Sequence, residues 1–131
     1  MEFYIFMVKK HPKLIIYAPF SIFSSILYLI KLFPASKAKE NFIAFINGIS
    51  ENDMKLLVKE FYEKRLSKII YKDALNTLKK FKNKGYKIYL ISASAEFYLN
   101  ELYRIKEVDK VIGTKFTLSD GIHCKKISGE N

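Results

Sequence analysis

The stretch "KIYLISASAEFYL", residues 87–99, limits the fold more than any other segment. Ile88 to Ile91 are apolar, Ser92 to Ala95 are small, and Phe97, Tyr98 and Leu99 open a helical pattern. A short buried strand that passes through small residues into a helix is one half of a parallel βα unit. A hydroxyl at such a strand end, beside a helix N-terminus, is where an α/β protein holds an anion, which makes Ser92 the first candidate site residue. Small residues also occupy such turns for tight packing and capping alone, and Ser94 fits the cap of the following helix.

The rest of the chain supports an α/β reading. "KVIGT", Lys110 to Thr114, predicts a second short strand, and Thr114 reads as structural. In "KFTLSDGIHCKKI" the Asp120-Gly121 pair predicts a two-residue hairpin turn, because both positions tolerate positive φ. Before Tyr86 the pattern is helical. Ser36 is a plausible N-cap for a helix whose apolar face is Phe42, Ile43, Phe45 and Ile46, with Gly48 as its stop. "SEND", residues 50–53, fits a capping box. Leu57, Phe61, Leu66 and Ile69 follow at near-helical spacing, and a further helix from Tyr71 is expected to bury Ala74, Leu75, Leu78 and Phe81 before Gly85. Helices over 1–70 thus precede α-β-α-β-hairpin. Two parallel strands are a poor sheet on their own, since parallel strands need covered faces and neighbours.

Composition narrows the partners. Formal net charge is +10, and between Phe3 and Lys39 there are six Lys and no acid. Such a surplus favours anionic partners, or is simply a solvated surface. Only Arg65 and Arg104 carry guanidinium groups and no stacked-aromatic motif appears, so nucleic acid is not expected. The single Cys124 excludes an intramolecular disulfide and suits a cytoplasmic protein. Cys124, His11 and His123 have no metal-site spacing. Leu14 to Ile30 is uncharged and flanked by Lys9, Lys10, Lys13 and Lys31, which touches the lower limit of a membrane span. Against a span, Pro19 divides the stretch, predicting a break near Ala18 and two shorter buried helices, and serines thin it. A membrane partner is therefore not the expected reading.

"YKIYLISASAEFYL", "VDKVIGTKF" and "SDGIHCKKISGEN" together resemble the haloacid dehalogenase-like phosphatases, subclass IB, the phosphoserine-phosphatase-like group. The resemblance is specific from Gly85 to Asn131 and looser before it. It implies an incomplete Rossmann-like core over 71–131, with parallel strands and a β-hairpin, behind an N-terminal all-helical cap over 1–70. It also implies phosphoryl transfer: an Asp forms an aspartyl-phosphate, a second Asp serves as acid and base, and Mg²⁺ bridges carboxylates and phosphate. Ser92 falls on the family's strand-terminal hydroxyl, and the backbone N–H of Ala93 would join it in binding the phosphoryl group of a small phosphorylated metabolite. The family's D-x-D-x-T is absent, since no Asp precedes Asp53, and so are its later Lys and Asp motifs. Phosphomonoester hydrolysis needs accelerations up to ~10²¹, which one serine and one amide cannot supply. The chain is therefore expected to be a truncated or partial phosphatase, inactive as it stands, with no catalytic or metal-binding residue to assign. The alternatives are a non-catalytic anion-binding module and a membrane-associated protein using residues 14–30. The resemblance also places the missing first strand beside Tyr86–Ile91, which should leave an exposed edge.

Overall fold

The computed structural model describes residues 2–32 and 34–128. Contacts gather into two units, one of residues 1–54 with 116–130, the other of residues 55–115. The contact units divide at Met54 and Lys115.

In the first unit, α1 (Glu2–Lys10) carries an acid in its first turn and Lys9 and Lys10 in its last, which suits the helix dipole. A 3₁₀ segment, Pro12–Ile16, leads into α2 (Tyr17–Leu29). The break expected near Ala18 does not occur: Ile16 and Tyr17 both keep right-handed helical angles, and the 3₁₀ segment continues directly into α2 with Ala18 inside it. Pro19 sits in the first turn of α2, where its fixed φ suits the helix. The flanking segments are not buried as expected, and that difference is taken up below.

Next, α3 (Ala35–Phe42) starts from Pro34 with no side-chain cap, so Ser36 lies inside the first turn and is not the N-cap. A 3₁₀ turn, Ala44–Ile46, follows, and Gly48 reverses the chain at φ 89°. Phe3, Met7, Phe45 and Ile46 form the core of this unit, with the Tyr4 and Phe45 rings 5.0 Å apart. The hairpin strands β3 (Phe116–Ser119) and β4 (Ile122–Ile127) belong here. Their turn has Asp120 at φ 49° and Gly121 at φ 74°, the paired positive angles expected of it. Backbone bonds tie β4 to the loop before the next helix: His123 N–H donates to Ile49 (2.8 Å) and Gly48 N–H to His123 (3.0 Å). Glu40 accepts the Ile127 N–H at 3.1 Å.

Helix α4 (Glu51–Phe61) begins at the predicted box: Asp53 N–H donates to Ser50 Oγ at 3.1 Å, and the Ser50 hydroxyl donates back to the Asp53 carboxylate at 2.7 Å. It buries Met54, Val58 and Phe61, one stripe at i, i+4, i+7. The helix runs on through a π-turn, Tyr62–Leu66, into α5 (Ser67–Ile69). Arg104 stacks over the Tyr62 ring at 4.7 Å.

In the second unit α6 (Lys72–Asn83) precedes the parallel pair β1 (Tyr89–Ala95) and β2 (Lys110–Thr114), joined by α7 (Glu96–Leu99) and a 3₁₀ turn, Asn100–Arg104. The core is Leu99, Val108 and Val111, with Leu78, Leu90 and Leu102 against it. The face expected for α6 is only partly buried: Leu75 and Leu78 are half-buried, while Ala74 and Phe81 are exposed. A two-stranded sheet offers one helix little apolar surface to cover, which accounts for the difference. Asp109 staples the sheet entrance, accepting Lys82 Nζ on both oxygens at 2.6 Å and the Ile88 N–H at 2.7 Å.

Candidate active site at the end of the first parallel strand

The register of the parallel pair runs Tyr89 to Lys110, Leu90 to Val111 and Ile91 to Ile112, and then jumps to Ala95 opposite Thr114. Three residues of β1, Ser92, Ala93 and Ser94, thus lie opposite the single Gly113 of β2. Bulges of this kind re-aim side chains and recur beside active sites. This one projects the sequence-predicted residues: Ser92 and Ala93 are both exposed, just past the last regular pair Ile91–Ile112 and within four residues of α7.

Three hydrogen bonds hold the bulge. Ser94 N–H donates to Ser92 Oγ at 3.2 Å, which fixes the serine side chain over its own loop. A serine oxygen that accepts one bond keeps its O–H hydrogen to donate elsewhere. The hydroxyl of buried Thr114 donates to the Ala93 carbonyl at 2.9 Å, bracing the bulge from the neighbouring strand. Gly113 N–H donates to Glu96 Oε2 at 3.2 Å.

The structural role expected for Thr114 is what its bond performs. One local expectation differs. Ser94 does not cap the helix: Ala95 is the N-cap, without a side-chain bond, because the strand runs one residue further before the chain turns. Glu96, in the first turn of α7, reaches across to β2 with its carboxylate. A Cβ on Gly113 would sit 2.8 Å from Glu96 Cα and 2.9 Å from Leu99 Cδ1. A glycine inside a strand pattern is the sequence signal for such a close approach; "KVIGT" carried it.

The bulge presents an exposed hydroxyl and small-residue backbone, and a divalent cation does not find its ligands there. Glu96 is the one acid in the strand-to-helix turn and is engaged by Gly113, and the described residues contain no group of three or more His, Cys, Asp or Glu able to hold a metal. Lys125 and Lys126 lie on β4, in the other contact unit.

The family model for haloacid dehalogenase-like hydrolases matches residues 2–131. The chain belongs to the haloacid dehalogenase-like hydrolase family. Solved structures with the same fold include a protein of unknown function from Bordetella pertussis Tohama I, with TM-score 0.71 and 19% identity over 81% of this chain and 48% of that one. A probable phosphoserine phosphatase from Vibrio cholerae follows at TM-score 0.64 and 8% identity, over 86% and 32%. A phospho-aspartyl intermediate analogue of phosphoserine phosphatase gives 0.56 and 14%, over 84% and 49%. This haloacid dehalogenase-like chain thus spans about half or less of the length of each of these structures. No curated protein matches the sequence. The α/β class, the helical N-terminal region and the phosphatase-like fold read from the sequence agree with these neighbours.

Proposed function

We propose that this chain is the helical region and part of the core of a phosphatase in which Ser92 Oγ–H and Ala93 N–H hold the phosphoryl group of a small phosphorylated metabolite. The observation that supports this best is the bulge opposite Gly113, which leaves an exposed, pre-oriented hydroxyl where the regular parallel pairing stops. Donors fixed before the ligand arrives cost little reorganisation when charge develops on it. In this reading the complete cytoplasmic enzyme hydrolyses a phosphomonoester through an aspartyl-phosphate with Mg²⁺. The nucleophile, the acid–base group and the metal ligands come from polypeptide other than these 131 residues, whose first Asp is Asp53.

The test is turnover of p-nitrophenyl phosphate. The 131-residue chain alone gives none, with or without Mg²⁺. A chain that includes an upstream strand carrying D-x-D-x-T turns it over, and Ser92→Ala in that chain lowers kcat/KM by about 10²–10³-fold. Clear Mg²⁺-dependent turnover by the chain alone contradicts the reading. The lack of any carboxylate at the bulge other than the engaged Glu96 also favours a non-catalytic anion site in this chain by itself. Micromolar binding of a phosphorylated metabolite, lost in Ser92→Ala, would distinguish that role.

A further inference from the structure

The first unit contains a helix built inside out. On α2 the side turned toward the protein is polar and small: Ser21 is 7% and Ser24 2% exposed. Asn41 of α3 donates to Ser24 Oγ at 3.0 Å, and the Ser21 hydroxyl donates to the Tyr17 carbonyl at 2.9 Å. The side turned outward is apolar. Leu29 is 76% exposed, Phe20, Ile22, Phe23 and Ile26 are exposed before it, and Ile16, at the end of the preceding 3₁₀ segment, is 72% exposed. A helix of a water-soluble domain shows the reverse arrangement, apolar inward and polar outward. Small and hydroxyl side chains at the helix–helix contact with an apolar exterior are the pattern of helices that meet lipid.

The charges around this helix match one kind of lipid surface. Lys9, Lys10 and Lys13 precede it and Lys31 follows it, all exposed, and no acid lies between Phe3 and Lys39. Tyr17 and Tyr28 stand near its two ends, the placement aromatic residues take at a membrane–water boundary. Pro12–Leu29 is long and apolar enough to cross a membrane by length and composition. A full crossing is disfavoured by α3, which packs on the serine stripe and carries Lys37, Lys39 and Glu40. A helix covered on one side and apolar on the other lies in the interface plane.

We infer that the outward face of α2, with its flanking lysines, docks this protein on an anionic lipid bilayer, the apolar side chains entering the acyl boundary and the lysines meeting the headgroups. Burial of exposed isoleucine, phenylalanine and leucine supplies most of the binding, and the lysines select negative charge. The inference is independent of Ser92, so either can fail alone.

The experiment is sedimentation of the 131-residue chain with vesicles of phosphatidylcholine alone or mixed with phosphatidylglycerol. The chain pellets with the anionic vesicles and less with the neutral ones, and salt weakens the difference. The variant Ile22→Gln/Ile26→Gln/Leu29→Gln, altered only at outward positions, loses at least about 100-fold in partitioning. The variant Lys9→Gln/Lys10→Gln/Lys13→Gln/Lys31→Gln loses the anionic preference. Because the chain has no Trp, Phe23→Trp adds a single reporter that does not depend on the stability of those variants. Its emission shifts to the blue with anionic vesicles and is quenched by brominated acyl chains. No pelleting together with an unmoved emission overturns the inference. So does a lipid-free dimer that the triple glutamine variant dissociates while vesicles capture nothing, since a second copy would then cover the face.

Discussion

Thr114 donates its hydroxyl hydrogen to the carbonyl oxygen of Ala93 across 2.9 Å, from the end of one parallel strand to the bulge of the other. Thr114 is 2% exposed, so this bond ties the exposed bulge to a buried residue of the neighbouring strand. Thr114→Val keeps the shape and removes the donor. It should lower stability by about 1 kcal/mol, the usual net worth of one such bond, seen as a lower urea midpoint at unchanged slope. Thr114→Ser, which keeps the hydroxyl, should lose less of the phosphate affinity proposed for Ser92. Equal phosphate binding by the valine and serine variants would show that the bond does not position the bulge.

Gly113→Ala tests the close approach of β2 to α7. Its new methyl would meet backbone, Glu96 Cα at 2.8 Å and Glu96 N at 2.9 Å, which cannot swing aside as a flexible side chain does. Overpacking of this kind costs about 1–3 kcal/mol. The substitution should lower the urea midpoint clearly, whereas Gly48→Ala, with open space around its Cβ, is penalised only through its φ of +89°. A Gly113→Ala variant as stable as wild type would mean that α7 moves freely against β2.

The first parallel strand pairs with β2 alone among the described residues, and Tyr89 and Ile91 are 56% and 75% exposed. An apolar edge in this state is a template for pairing between copies. Ile91→Lys should reduce concentration-dependent association, measured by light scattering, without lowering the thermal midpoint. Unchanged association would place the sticky surface elsewhere, with the outward face of α2 the next to test.

The local chemistry of this chain is legible in its sequence, and its long-range choices are not. Asp120-Gly121, the box at Ser50 and Asp53, and the strand leading into Ser92 were readable because each depends on neighbours within a few residues. Ser94 fits a cap by local pattern but lies inside the strand, because the pairing of Ala95 with Thr114 that extends β1 past it is set by the partner strand. The engagement of Glu96 by Gly113, 17 positions away, has no local signature beyond the glycine itself. Nor does periodicity say which side of an apolar helix faces the protein. On α2 the serines looked like interruptions of an apolar stretch, and they are its contact with α3. Asp109 illustrates the same limit, since its partners Lys82 and Ile88 lie 27 and 21 positions back along the chain.

Acid should destabilise the protein in two separable steps. Burial of His123 pushes its imidazole below the ordinary value of 6.5, with the nearby Glu51 charge partly opposing the shift. The unfolded chain therefore takes up this proton more readily than the folded one. Stability falls as pH drops below about 6.5 and levels off once the folded imidazole has also been protonated. Asp109 acts lower down. The hydrogen bond from Lys82, then that from the Ile88 N–H, holds its carboxyl below the ordinary 3.8. Its contribution is complete above that value and is lost as pH falls through the folded pKa. Urea midpoints measured at about pH 7.5, 5.5 and 3 should decline in both intervals. His123→Gln should flatten the upper interval and leave the lower one, and Asp109→Asn should do the opposite. The two groups sit in different contact units, β4 in one and the entrance to β2 in the other, so a single variant that flattened both intervals would mean the groups do not titrate independently.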